Sequence, residues 1–115
     1  MSDITDLQKR IVDFRDARDW KQFHNPKDMA ISLVLEAAEV IEHFQWKTPA
    51  EVEAHLADNK SALAEELADV LYWVLLMAND LDINITQTFE AKMTKNEQKY
   101  AVEKAKGNHK KYTDL

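Results

Sequence analysis

A single glycine, Gly107, and two prolines, Pro26 and Pro49, punctuate a chain of 115 residues. Turns that need a left-handed backbone draw on glycine, and β-rich folds need many of them. A chain this short of both must run in long helices joined by few corners. An all-α fold in one domain fits that pattern and the length. A monomer of this size buries a limited core, so self-association is expected.

The apolar spacing supplies the helices. Ile4, Leu7, Ile11 and Phe14 recur at three- and four-residue steps and predict a helix to about Arg18. Asn25-Pro26-Lys27-Asp28 combines a cap, a first-turn proline and an acid at the positive helix end, and opens a second helix to about Trp46. Thr48-Pro49-Ala50-Glu51 reads as a capping box and starts a short helix to about Ala57. Asp58-Asn59 is the break before a helix over about Lys60 to Leu81. A last helix, about Ile85 to Lys106, stops at Gly107. Asn108 to Leu115 has no helical period. The expected domain is therefore 1–107, followed by a tail, 108–115. The second helix and the helix from Lys60 carry apolar faces too wide for one wet side. Two surfaces of each should be covered, one by the chain and one by a partner subunit.

A net charge of −6 and a pI near 5.1 argue against binding nucleic acid through the general field. A phosphate-bearing ligand stays compatible if a metal or a local basic cluster supplies positive charge. The absence of cysteine excludes disulfide and thiolate chemistry. No apolar run is long enough to span a bilayer, and Ser2-Asp3 opens no signal peptide, so no membrane partner and a cytoplasmic place are expected.

Glu36 and Glu39 are three apart and share a helix face; Glu66 and Asp69 repeat that spacing on the next long helix. Each pair is flanked by aliphatics, Leu33-Val34-Leu35 before the first and Val70-Leu71 after the second. Antiparallel packing of the two helices can bring the pairs together. Four converging acids repel one another, and a hard divalent cation, Mg²⁺ first among them, resolves the repulsion. The plain alternative is a solvated acidic surface. His43, four residues after Glu39, is a further candidate ligand, although a half-exposed helix histidine is commoner. His55 and His109 carry no signal.

At this point the chain resembles the MazG-like all-α nucleoside triphosphate pyrophosphohydrolases, whose signature is ExxE followed by ExxD. Here these are Glu36-Ala37-Ala38-Glu39 and Glu66-Leu67-Ala68-Asp69. It is most similar to the dCTP-pyrophosphatase branch, through Arg18-Asp19-Trp20-Lys21-Gln22-Phe23-His24, Phe44-Gln45-Trp46-Lys47, Lys92-Met93-Thr94-Lys95-Asn96-Glu97-Gln98-Lys99-Tyr100 and Lys111-Tyr112-Thr113-Asp114-Leu115. The resemblance implies a helical bundle of four to five helices completed by oligomerisation, with a tetramer favoured over a dimer. It implies Mg²⁺-dependent conversion of a dNTP to the monophosphate and pyrophosphate, in the service of dNTP-pool sanitation. Glu36, Glu39, Glu66 and Asp69 become the catalytic metal ligands. Lys92, Asn96, Lys99 and Tyr100 become phosphate or sugar contacts, and Lys111 and Tyr112 a segment closing over the nucleotide. Trp20, Trp46 and Trp73 become the base pocket, with His24 and Lys47 as further substrate contacts.

Three positions depart from the animal dCTP enzymes: Ile11 stands in place of a histidine, Trp73 in place of a tyrosine, and Ala101 in place of a proline. The first two touch the base pocket, so cytosine preference is open. Two other classes compete. A di-iron carboxylate bundle needs Glu-x-x-His pairs, and no glutamate here has a histidine three residues on. A non-catalytic helical interaction module fits the wide apolar faces, as does an oligomeric enzyme.

Overall fold

The computed structural model describes residues 3–115. Five helices follow one another: α1 Ile4–Ala17, α2 Pro26–Glu42, α3 Pro49–Asp80, α4 Ile85–Lys99 and α5 Val102–Ala105, with single 3₁₀ turns at Lys21–Phe23 and Tyr112–Asp114. Among the described residues there is no strand, and no helix is long and apolar enough to cross a membrane. The chain divides into two compact units, Met1–Asp82 and Ile83–Leu115.

Side chains that satisfy the orphaned first-turn N–H groups set the helix starts. The N–H of Asp6 donates to Asp3 Oδ1 at 2.9 Å, that of Asp28 to Asn25 Oδ1 at 2.9 Å, and that of Gln87 to Asn84 Oδ1 at 3.1 Å. Thr48 and Glu51 form the expected capping box, with reciprocal bonds of 3.2 and 3.1 Å.

Three boundaries differ from the sequence reading. The second helix ends at Glu42, not Trp46, because 43–46 fold into turns and Trp46 takes a left-handed φ of 68°. Thr48, held extended ahead of Pro49, then restarts the chain. Asp58-Asn59 kinks a helix rather than separating two. Only Asn59 leaves helical geometry (φ −124°, ψ 18°), and its amide Nδ2 donates to the His55 carbonyl at 3.0 Å. The last long helix stops at Lys99, where Tyr100 and Ala101 turn out of α geometry before the single turn of α5. Gly107 takes the left-handed φ of 75° expected of a helix stop.

In the first unit α3 packs against both α2 and α1. The apolar centre is small: Met29 of α2 with Leu75, Leu76 and Ala78 of α3. Gln8 Nε2 of α1 donates to the Leu75 carbonyl at 2.8 Å, tying α1 to that centre. The same centre holds Arg15, fully buried, whose guanidinium donates to Asp80 and, at 3.1 Å, to Asp16. Burial works against both charges, and the pairing outweighs it. The Arg15 pKa is raised and the Asp80 carboxyl is held below the ordinary carboxylate range. The outer α2 face remains open, with Val34, Leu35 and Ile41 each at least 60% exposed.

Asp80→Ala strands a buried guanidinium and should cost about 3–5 kcal/mol in urea denaturation at pH 7. The double change Arg15→Met with Asp80→Leu should recover most of it. In the parent chain this contribution is present above the ordinary aspartate pKa and is lost as pH falls through the lowered Asp80 value.

Candidate metal and nucleotide site

The packing of α2 on α3 brings acids from the two helices together. Carboxylate oxygens of Glu36, Glu39 and Glu66 all lie within 4.8 Å of one another. Asp69 falls outside that mutual distance, yet its charge raises both Glu36 and Glu66. For Glu36 burial is the largest cause of a raised pKa, followed by the charge and hydrogen bond of Glu39. For Glu66 a hydrogen bond shared with Glu39 comes first, then burial and the neighbouring charges, and the pKa stands at about 7.

Glu36 Oε2 and Glu66 Oε2 are buried with no hydrogen-bond partner. Buried carboxylate oxygens that lack donors are costly and rare. An all-oxygen donor set with orphaned, mutually repelling carboxylates fits a hard divalent cation. His43 does not join the oxygens: its Nε2 stands 4.0 Å from Glu66 Oε1. Its Nδ1 meets His55 Nε2 at 2.9 Å, a contact the sequence did not signal, because His43 caps the end of α2 while His55 lies inside α3, with no shared period.

Beside the acids lies a cavity of about 610 Å³, lined on one side by Glu36 and Asp69 and walled by Phe14, Trp20, Tyr72 and Trp73. The rings meet edge to face: Phe14 with Trp20 at 5.7 Å, Phe14 with Tyr72 at 6.4 Å, Tyr72 with Trp73 at 5.1 Å. That geometry is favourable for aromatic pairs. Ile11 also lines the cavity. Trp20 and Trp73 both line the cavity, and Phe14 and Tyr72, read from sequence as packing residues or not at all, complete the wall. His24 packs edge-on against Trp73 at 5.3 Å, and burial first, then the Arg15 charge, lowers its pKa. Trp46 does not line this cavity; it is 91% exposed. Lys47, one residue on, is half-buried and also lies off the cavity wall.

In the second unit Lys92, Asn96 and Lys99 fall on one face of α4, and Tyr100 ends that helix. Lys99 Nζ lies 4.7 Å over the Tyr112 ring, and the Tyr100 and Tyr112 rings meet at 6.1 Å. Lys111 immediately precedes the 3₁₀ turn that carries Tyr112.

The raised Glu66 fixes the sign of a pH effect. The folded chain holds that proton more tightly than the unfolded chain does. Between the ordinary glutamate value and about 7, stability therefore falls as pH rises. Melting the metal-free protein from pH 5 to 8 should show this decline, and Glu39→Gln should flatten it by removing a repelling charge.

Residues 31–115 match a family model described as the MazG-like family. The chain is 37% identical to dCTP pyrophosphatase 1 of Rattus norvegicus over 114 residues, covering 97% of this chain and 67% of that protein. It is 33% identical to dCTP pyrophosphatase 1 of Homo sapiens over 114 residues, with the same coverage. The crystal structure of a pyrophosphatase from Archaeoglobus fulgidus DSM 4304 superposes with a TM-score of 0.80 at 36% identity, covering 88% of this chain and 94% of that one. The chain belongs to the MazG-like family.

Proposed function

We propose that this chain hydrolyses a deoxynucleoside triphosphate to the monophosphate and pyrophosphate with the help of Mg²⁺, dCTP or a modified dCTP being the preferred substrate. The observation that carries the reading is the convergence of Glu36, Glu39 and Glu66 beside an aromatic cavity. The similarity to dCTP pyrophosphatases over nearly the whole chain supports it.

Glu36, Glu39, Glu66 and Asp69 are the residues that would hold the cation. Bound there, Mg²⁺ supplies charge neutralisation for the triphosphate and a more acidic water. The water oxygen bonds to the α-phosphorus, the α–β bridging bond breaks, and pyrophosphate leaves. A carboxylate of this set accepts the water's proton. Phe14, Trp20, Tyr72 and Trp73 grip the base by stacking and exclude water from it. Stacking accepts any base; choice of cytosine needs polar groups that would be stranded by a wrong edge. Lys92, Asn96 and Lys99, sharing one face of α4, suit the phosphates, with Tyr100 at the sugar. Lys111 and Tyr112 are further candidates for nucleotide contacts. Trp46, left open in the single chain, fits a surface covered by another copy, as do Val34, Leu35 and Ile41. A homotetramer accounts for these faces.

Incubation with each dNTP and Mg²⁺, followed by chromatography, should give monophosphate and pyrophosphate, with dCTP turned over fastest. Absence of monophosphate from every dNTP would refute the reading. Glu39→Gln should lower turnover by more than about 100-fold, since a lost ligand exceeds the 10–100-fold typical of its outer partners. The variant should stay folded and melt no lower than the parent.

A further inference from the structure

Next to the carboxylates runs a chain of polar side chains that the proposed reaction does not use. It begins at the α3 kink. The Asn59 amide nitrogen lies 3.0 Å from the His55 carbonyl oxygen and 3.3 Å from His55 Nδ1. The carbonyl can only accept, so the group facing it is the amide NH₂, and that NH₂ is a donor to both. His55 Nδ1 is therefore the accepting nitrogen, and the ring proton sits on Nε2. That nitrogen is 2.9 Å from His43 Nδ1, to which it donates. His43 Nδ1 must accept, which leaves its proton on Nε2. That atom faces Glu66 Oε1 at 4.0 Å.

With the Asn59 amide as donor, the sense runs from Asn59 to His55 and from His55 to His43, and it leaves the His43 Nε2–H facing Glu66. Burial first, then the Lys47 charge, holds the His55 pKa below its ordinary value, which favours the neutral ring that the direction requires. At 4.0 Å the last contact is not yet a hydrogen bond, but it lies one side-chain adjustment away from one. The His43 side chain is only 13% exposed, which limits the ring's freedom to turn away. Glu66 Oε2 is buried without a partner, so any carboxylate geometry there has to be imposed from the Oε1 side.

We propose that His43 is a positioning residue for Glu66, offering an Nε2–H to its carboxylate, with the ring tautomer dictated by Asn59 through His55. Asn59 is also the residue at which α3 leaves helical geometry. An outer partner of this kind orients a cation-holding carboxylate and is typically worth 10–100-fold in metal affinity. The inference rests on the reading of the carboxylates as a divalent-cation site.

The test uses the full-length chain and Mn²⁺ alone, titrated by calorimetry. His43→Leu keeps the volume and removes the donor, and should weaken Mn²⁺ binding by about 10–100-fold with little change in melting temperature. His43→Gln, whose amide reaches the place of Nε2–H, should restore most of that affinity. Equal Mn²⁺ affinity in the parent and His43→Leu overturns the positioning role while leaving the cation site intact. Equal weakening in the Leu and Gln variants also overturns it, since packing alone would then be at stake. Failure of the parent to bind Mn²⁺ overturns both readings. Long-range ¹H–¹⁵N spectra of the metal-free parent supply an independent reading: His43 protonated on Nε2 supports the role, and His43 protonated on Nδ1 overturns it.

Discussion

Mutual repulsion of carboxylates is the constraint on which this structure turns. Glu36, Glu39 and Glu66 are held within 4.8 Å, two of them with a buried oxygen that finds no donor. Without a cation the folded chain relieves the repulsion by keeping a proton, and Glu66 carries the cost as a pKa near 7. The arrangement survives because α3 packs against both α2 and α1 around Met29, Leu75 and Leu76. Perturbed acids beside a cavity mark functional sites, since folding alone gains nothing from gathering like charges.

The cavity and the open helix faces extend the same logic. A wall of four aromatic rings adjoining two acids is suited to a ligand that is flat at one end and, at the other, carries a cation or reaches the acids through one. The small number of fully buried apolar side chains contrasts with the exposed Val34, Leu35, Ile41 and Trp46. Contiguous apolar surface left exposed in this way is a feature of interaction faces. Arg15 and Asp80 show a different economy: a buried ion pair fills the junction of α1 and α3 where aliphatic packing would otherwise be expected.

The helices were legible because their signals are local. Caps at Asn25 and Thr48, the scarcity of glycine and the spacing of Ile4, Leu7, Ile11 and Phe14 act within a turn or two. The carboxylate pairs were legible for the same reason, each being an i,i+3 repeat. Features that depend on two distant segments were not. The Arg15–Asp80 pair joins residues 65 apart in the chain, and the His43–His55 contact joins residues with no common period. The end of α2 was misplaced because the left-handed turn at Trp46 falls on a residue type that rarely adopts it. The Asn59 kink was read as a break because asparagine serves both purposes, and only the amide contact with the His55 carbonyl shows which one applies.

Hydrolysis of dCTP in ¹⁸O-labelled water tests the central claim most directly. Attack of water on the α-phosphorus places the label in dCMP and leaves the released pyrophosphate unlabelled. Label in the pyrophosphate, or release of orthophosphate in place of pyrophosphate, would contradict the account.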